Sequence, residues 1–283
     1  MTPVAQSLFG EVHFSHWPER AWGWLRSKLP IQVQSRRCKV VAVPQLQDSA
    51  RTELAPGGRL RAALNFSNTL LISSRTPEPT GVAPDLAREL ARRAEANVVF
   101  VGYANAGLVA DAAARNEWDV AFIGAEPQRA GEVTFTRAYV EIEATYLVQP
   151  SSAFRHVNDV DREGVHIVAA ARAAYTLFLQ RTLRRAALVE AESLPAAFDL
   201  FIEKKFEVLA GLKPNLIANA QKLPGLRLLD GRFTAVQQAL GVPRRRAAAA
   251  AYLAEFVTEI TRSGLLRDLI ARHRVEGLAI VQK

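Results

Sequence analysis

The chain has one cysteine, one methionine and no long apolar run, and each scarcity removes a class of function. Cys38 stands alone, so no intrachain disulfide and no cysteine-rich metal site can form. Ser35, Arg36 and Arg37 precede it, which is not the context of a lipoprotein acylation site. His13, His16, His156, His166 and His273 show no ligand spacing, so neither a metal nor another cofactor is expected. No stretch approaches the length of about 18 apolar residues that a membrane-spanning helix needs. Residues 1–30 also lack the apolar core of about 7–15 residues that marks a secretory signal. Glu11, Pro18, Glu19, Arg20, Arg26 and Lys28 interrupt every candidate stretch there, so no export signal is expected in the chain as given.

What is present is the composition of an ordinary globular protein, 49% hydrophobic with a mean hydropathy of +0.01. A chain of 283 residues can hold two domains of roughly 100 residues each. The net charge of +8 and a pI near 10 favour an anionic ligand or an acidic partner. The basic residues are scattered, in pairs at 92–93 and 184–185 and a triplet at 244–246, without interleaved aromatics. Nucleic acid is therefore not the expected partner.

Residues 1–50 hold three of the four tryptophans, Trp17, Trp22 and Trp24, and no clear period. A short amphipathic helix over 18–29 or a disordered leader both fit them. Beyond them, apolar runs and helical periods alternate: a strand at 60–65, a loop at 66–80, a helix at 85–94, a strand at 98–103, a helix at 106–116 and a strand at 120–124. Further on, strands at 165–170, 187–190 and 206–210 interleave with helices at 173–184 and 196–204. Such alternation points to an α/β protein with a parallel sheet. Residues 232–240 return the chain to its first half, and helices at 246–263 and 264–272 close it.

The most informative stretch is WDVAFIGAEPQRAGEVTFTRAY at 118–139. An apolar strand ends at Gly124, a loop runs through Ala125 and Glu126, and Arg129 follows before Phe135 and Tyr139. An arginine just past the carboxyl end of a sheet strand stands where α/β proteins grip anions, and its planar fork matches a carboxylate.

This stretch resembles the core signature of the bacterial solute-binding protein family 3, the receptors of polar amino-acid ABC transporters. Asp119, Arg129, Phe135, Thr136 and Tyr139 match that signature, while Ala138 replaces the usual proline and the ligand loop is two residues shorter. GRLRAALN at 58–65, TGVAPDLARELARR at 80–93 and the final helix pair extend the resemblance over roughly residues 52–281. It implies a two-lobed, periplasmic-binding-protein-like (type II) α/β fold with two hinge strands. The expected division is a leader at 1–50, one lobe at 51–147 plus 233–283, and a second lobe at 148–232.

The resemblance implies that Arg129 clamps a ligand carboxylate, with Gly124 and Ala125 in the same loop. Asn65, Phe66 and Asn68 lie where the family's first loop contributes a stacking aromatic or polar contacts; as plain turn residues they would fit equally well. In the second lobe the usual Gly-Ser/Thr step is replaced by Ala173 and Ala174, followed by Tyr175, so only backbone donors of the helix start remain. Leu212 takes the place of the acid that pairs with a ligand ammonium, with Lys213 next to it. A zwitterionic amino acid would leave its ammonium without a partner, so a small anionic or carboxylate ligand is expected, served by Arg129, Lys213 and Arg172 unless the latter two are solvated.

The implied function is capture of a small carboxylate-bearing ligand, an amino acid or organic acid, for an ABC transporter permease. Cyclohexadienyl dehydratases share this fold, and Glu126 is the one acid placed for such lyase chemistry. A cytoplasmic ligand sensor is the third alternative. The resemblance implies the periplasm, whereas the chain as given carries no export signal, which leaves the cytoplasm open.

Overall fold

The computed structural model describes residues 44–282, and the expectations for residues 1–43 lie outside the described residues. The first part of the chain forms α1 (Asp48–Leu54), β1 (Arg59–Asn65), α2 (Val82–Arg93), β2 (Asn97–Tyr103), α3 (Ala106–Ala114) and β3 (Val120–Gly124). A long strand, β4 (Val133–Val148), leads to β5 (His166–Ala170), α4 (Ala174–Thr182), β6 (Ala187–Ala191), α5 (Leu194–Glu203) and β7 (Val208–Leu212). After α6 (Lys213–Ala220) and β8 (Arg227–Leu228), β9 (Thr234–Pro243) returns, followed by α7 (Ala247–Ser263), α8 (Leu265–Arg272) and β10 (Ala279–Ile280).

The strands follow the order β2-β1-β3-β9-β4-β7-β5-β6, with β8 and β10 pairing on β4. Within each half the neighbours run parallel: β1 with β2 and β3, and β5 with β6 and β7. The two long strands break that pattern. β9 is antiparallel to β3 and β4, and β4 is antiparallel to β7. The expected parallel sheet is thus two parallel sets joined by antiparallel strands, because the chain crosses between halves once in each direction. A consequence is that the two sets run oppositely, so the carboxyl ends of both face one crevice.

Each half has its own core. Leu60, Leu64, Leu86, Phe122 and Phe256 belong to the first, and Ile142, Ile167, Leu179 and Val208 to the second. The first core is closed by α2, whose buried Val82, Ala83, Leu86, Ala87, Leu90 and Ala91 keep the spacing of one helical face. Along β4 the packing changes hands between Val140, in the first core, and Ile142, in the second. That lies a few residues ahead of the expected boundary at 147–148. At the amino end, α1 packs Ala50 and Leu54 into the first core, so folded structure starts before residue 51. The F-T-R-A-Y segment falls where the β4–β9 register slips twice, between Phe135 and Ala138 and again before Val140. Such irregularities bend a strand.

Buried Asp119 ties the start of β3 to its surroundings. Its carboxylate accepts from Arg61 Nη2 and backbone N at 2.8 Å and from Arg246 Nη1 at 2.6 Å. Two arginines around one acid with no exposure satisfy its lone pairs and balance its charge.

Candidate functional site

At the facing carboxyl ends lies a cavity of about 430 Å³. The first half lines it with Asn65 at the end of β1 and Phe66 and Asn68 after it, with Asn105 before α3, and with Gly124 at the end of β3 and Arg129 after it. The second half contributes Ala170, Ala171, Ala173, Ala174 and Tyr175 around the β5–α4 turn, Glu192 after β6, and Leu212 at the end of β7. β9 adds Val236 and Gln238. A crevice outside the carboxyl ends of strands is where open α/β sheets bind ligands.

Arg129 sits in a short 3-10 turn and is 4% exposed. Its Nη1 donates to Gly124 O at 2.6 Å and its Nη2 to Arg172 O at 2.9 Å. A guanidinium has five N–H donors, and the remaining three, including buried Nε–H, find no partner among the described residues. No carboxylate among the described residues forms an ion pair with it either; Glu126 is engaged by Arg181 at 2.9 Å. Burial pushes the Arg129 pKa down to about 10, an effect Glu126 offsets and Arg172 adds to. At neutral pH the group is therefore a buried cation with spare donors and no acid bonded to it, Glu126 acting on it only through space.

The start of α4 stands beside this cation. A Cβ built on Gly124 would lie 2.9 Å from Ala174 Cβ and 3.6 Å from Arg129 Nη1. Only glycine lets the two halves approach this closely. No side chain caps α4, and its N-cap is Ala173, so its first N–H groups are open to a ligand. The Tyr175 hydroxyl is buried, and burial pushes its pKa up against a smaller opposing effect of the Ala170 backbone, keeping it protonated.

The halves touch directly beside the cavity. Arg172, whose backbone is left-handed at φ 60°, holds Asp111 of α3 through two bonds of 2.7 and 2.8 Å. Gly107 makes room, since a Cβ there would stand 2.4 Å from Arg172 Nε. Gln128 also reaches Leu177 O at 3.3 Å.

Phe66 leans on Gly102, where a Cβ would meet its ring at 2.0 Å. The Arg75 guanidinium lies 5.1 Å from the ring centroid and donates to Phe66 O. This pins the aromatic at the cavity wall.

Several expected residues are brought together and others are not. Asn65, Phe66, Asn68, Gly124, Arg129, Ala174 and Tyr175 line one cavity, as does Leu212. Ala125 does not; its N–H donates to Gln237 O at 2.8 Å and closes the β3–β9 ladder. Lys213 does not either, because it begins α6 and its Nζ is taken by Glu143 at 2.8 Å. Arg172 contributes its carbonyl rather than its charge, which Asp111 engages. Glu126 is absent from the lining and pairs with Arg181. Sequence reasoning missed Gln238, Asn215, Asn219, Lys222, Arg75 and Glu192, all at the wall. For Gln238 a signal existed: of the two adjacent amides in β9, Gln237 and Gln238, it alone is buried, in a strand that is otherwise mostly apolar.

Arg75, Arg129 and Lys222 face a single acid, Glu192, among the described lining residues. The wall is thus net positive and suits an anion. Among the described residues no three His, Cys, Asp or Glu side chains gather as a metal site, and no helix is long and apolar enough to cross a membrane.

The sequence profile of the bacterial extracellular solute-binding proteins, family 3, matches residues 69–275. No protein of curated function matches the sequence. Among solved structures, a mutant of ArgBP from T. maritima is 18% identical with a TM-score of 0.66, covering 79% of this chain and 98% of that one. The ancestral amino acid-binding protein AncCDT-1, described as a precursor of cyclohexadienyl dehydratase, is 16% identical at a TM-score of 0.66, covering 78% and 97%. A binding component of an ABC transporter from Wolinella succinogenes, complexed with lysine, is 17% identical at 0.65, covering 76% and 95%. At such identities these likenesses speak for the fold, the two-lobed type II arrangement. Family and neighbours are mostly solute-binding proteins rather than enzymes. With the profile spanning most of its length, the chain belongs to the bacterial extracellular solute-binding proteins, family 3.

Proposed function

We propose that the protein closes its two lobes around a small carboxylate-bearing ligand and delivers it to an ABC-type permease. The observation that carries this is Arg129: a buried guanidinium with three unpaired N–H groups, no acid paired to it, and an uncapped helix start alongside. Holding an unpaired ion out of water costs several kcal/mol, and a carboxylate at this point supplies both the charge and the acceptors. The net positive wall and the alanines at 170, 171, 173 and 174 leave room for a short carbon skeleton. β4 and β9 serve as the hinge, with lobes at about 51–147 plus 233–283 and at 148–232 adjusted to the change of core near residue 141. The family membership favours a periplasmic location.

Thermal-shift screening of amino acids and organic acids tests the proposal, since a ligand of the folded state raises the melting temperature. Carboxylates should raise it, and Arg129→Ala should weaken their binding by about 2–5 kcal/mol, at least ~30-fold in Kd. An unchanged shift in the variant for every responding carboxylate would refute the grip. The acid expected to serve the lyase alternative, Glu126, is committed to Arg181 outside the cavity lining.

A further inference from the structure

Resting on the carboxylate reading above, we infer that the ligand carries a neutral hydrogen-bonding group next to its carboxylate, a hydroxyl or amide rather than an ammonium, and that Gln238 with Asn68 reads it. Three observations lead there. First, the wall offers an ammonium no buried acid. Glu192 is the single carboxylate among the described lining residues and it is exposed, whereas Arg129 is buried. With the ligand carboxylate taken by the guanidinium, an ammonium in this crevice would have no buried acid of the protein to pair with.

Second, the polar groups without partners are neutral. Asn68 is 5% exposed and Gln238 4%, both line the cavity, and each has a side-chain carbonyl oxygen without a hydrogen bond. Buried amides and hydroxyls left unpaired are costly, and a ligand hydroxyl or amide can donate to and accept from them.

Third, the placement is close to the carboxylate grip. Gln238 is the register partner of Gly124, whose carbonyl holds Arg129 Nη1. Antiparallel partners lie about 4.5–5.5 Å apart at Cα, so the backbone of Gln238 stands one ladder step from that of Gly124, whose carbonyl holds the guanidinium. The group it reads is accordingly assigned to the carbon beside the carboxylate or one bond further. The ligand class is therefore a short 2- or 3-hydroxy carboxylate, or its amide counterpart, with an apolar remainder against the alanines.

The test compares matched pairs on the full chain by titration calorimetry: L-lactate with L-alanine, L-2-hydroxyisocaproate with L-leucine, and L-3-phenyllactate with L-phenylalanine. In at least one pair the hydroxy acid should bind ten-fold or more tightly than its amino counterpart. Arg129→Ala should abolish binding of both members. Gln238→Leu should shrink the preference several-fold, and Gln238→Glu should turn it toward the ammonium, each variant first shown folded by its melting curve. The comparison in the parental protein needs no variant, so a misfolded mutant leaves it decisive. If amino acids win in every responding pair and Arg129→Ala abolishes that binding, this inference is overturned while the carboxylate grip stands. Hydroxy acids that bind regardless of Gln238→Leu would remove Gln238 from the account. If no pair binds, or binding ignores Arg129→Ala, the carboxylate reading falls and takes this one with it.

Discussion

Replacing Gly124 by alanine puts a methyl group where the two lobes meet. The new Cβ would stand 2.9 Å from Ala174 Cβ across the crevice and 3.0 Å from Val236 Cγ1 on the neighbouring strand. Carbon atoms pack comfortably at about 3.5–4 Å, so closure must give way by roughly half an ångström or more. Overpacking of this kind costs about 1–3 kcal/mol, which corresponds to a rise of roughly 5- to 150-fold in Kd if it falls on the closed form alone. Val236 pairs with Ile142 of β4 and packs in the same core as Ala174, so its share persists when the Ala174 contact alone is removed. Ala174 belongs to α4 in the other lobe, so its share appears only in binding. Ala174→Gly in the same chain removes that contact, at a cost of up to about 1 kcal/mol to the first turn of α4. Calorimetry with the carboxylate giving the largest thermal shift should show Gly124→Ala binding weakly and the double variant recovering most of the loss. Unchanged affinity in Gly124→Ala, or no recovery in the double variant, would refute closure through this contact.

Two further perturbations probe the frame around the site. Asp111→Asn breaks the bidentate contact with Arg172; both side chains are nearly half exposed, so the loss is about 0.5–1 kcal/mol, a ~2–5-fold rise in Kd without loss of fold. Arg172 holds the Asp111 carboxyl below its ordinary 3.8, so this contact contributes fully at neutral pH and fades as pH falls through the lower folded value. Affinity measured between pH 7 and 3 should therefore drop less in Asp111→Asn than in the parent, and parallel curves would count against the latch. Asp119→Ala leaves Arg61 and Arg246 without their shared acid and should lower stability by about 3–5 kcal/mol in urea denaturation; a loss under ~1 kcal/mol would contradict its structural role.

Regular elements were legible where one physical signal dominated. β1, β2, β3 and β5 are short apolar runs bounded by turns, and they fall within a residue or so of expectation. β4 was not legible as one 16-residue strand, because Thr134, Thr136, Arg137, Glu141 and Glu143 interrupt its apolar pattern while it passes from one core to the other. α6 was missed because Pro214 reads as a break, although proline is well tolerated in a first helical turn. Lys213 entered the expected site as the neighbour of Leu212, whereas in the structure it begins α6 and its Nζ is held by Glu143. Arg129 was legible because its loop has a recognisable pattern. Its carbonyl partners were not, since nothing in the chain connects position 129 with 172, or 172 with 111. Gln238 needed the sheet register that sets it opposite Gly124.

The central claim is most directly tested by a crystal structure with the carboxylate that most raises the melting temperature. Both carboxylate oxygens should lie about 2.7–2.9 Å from Arg129 nitrogens, with the first turn of α4 against the same group. A carboxylate bound elsewhere, with Arg129 still held only by Gly124 and Arg172, would contradict it.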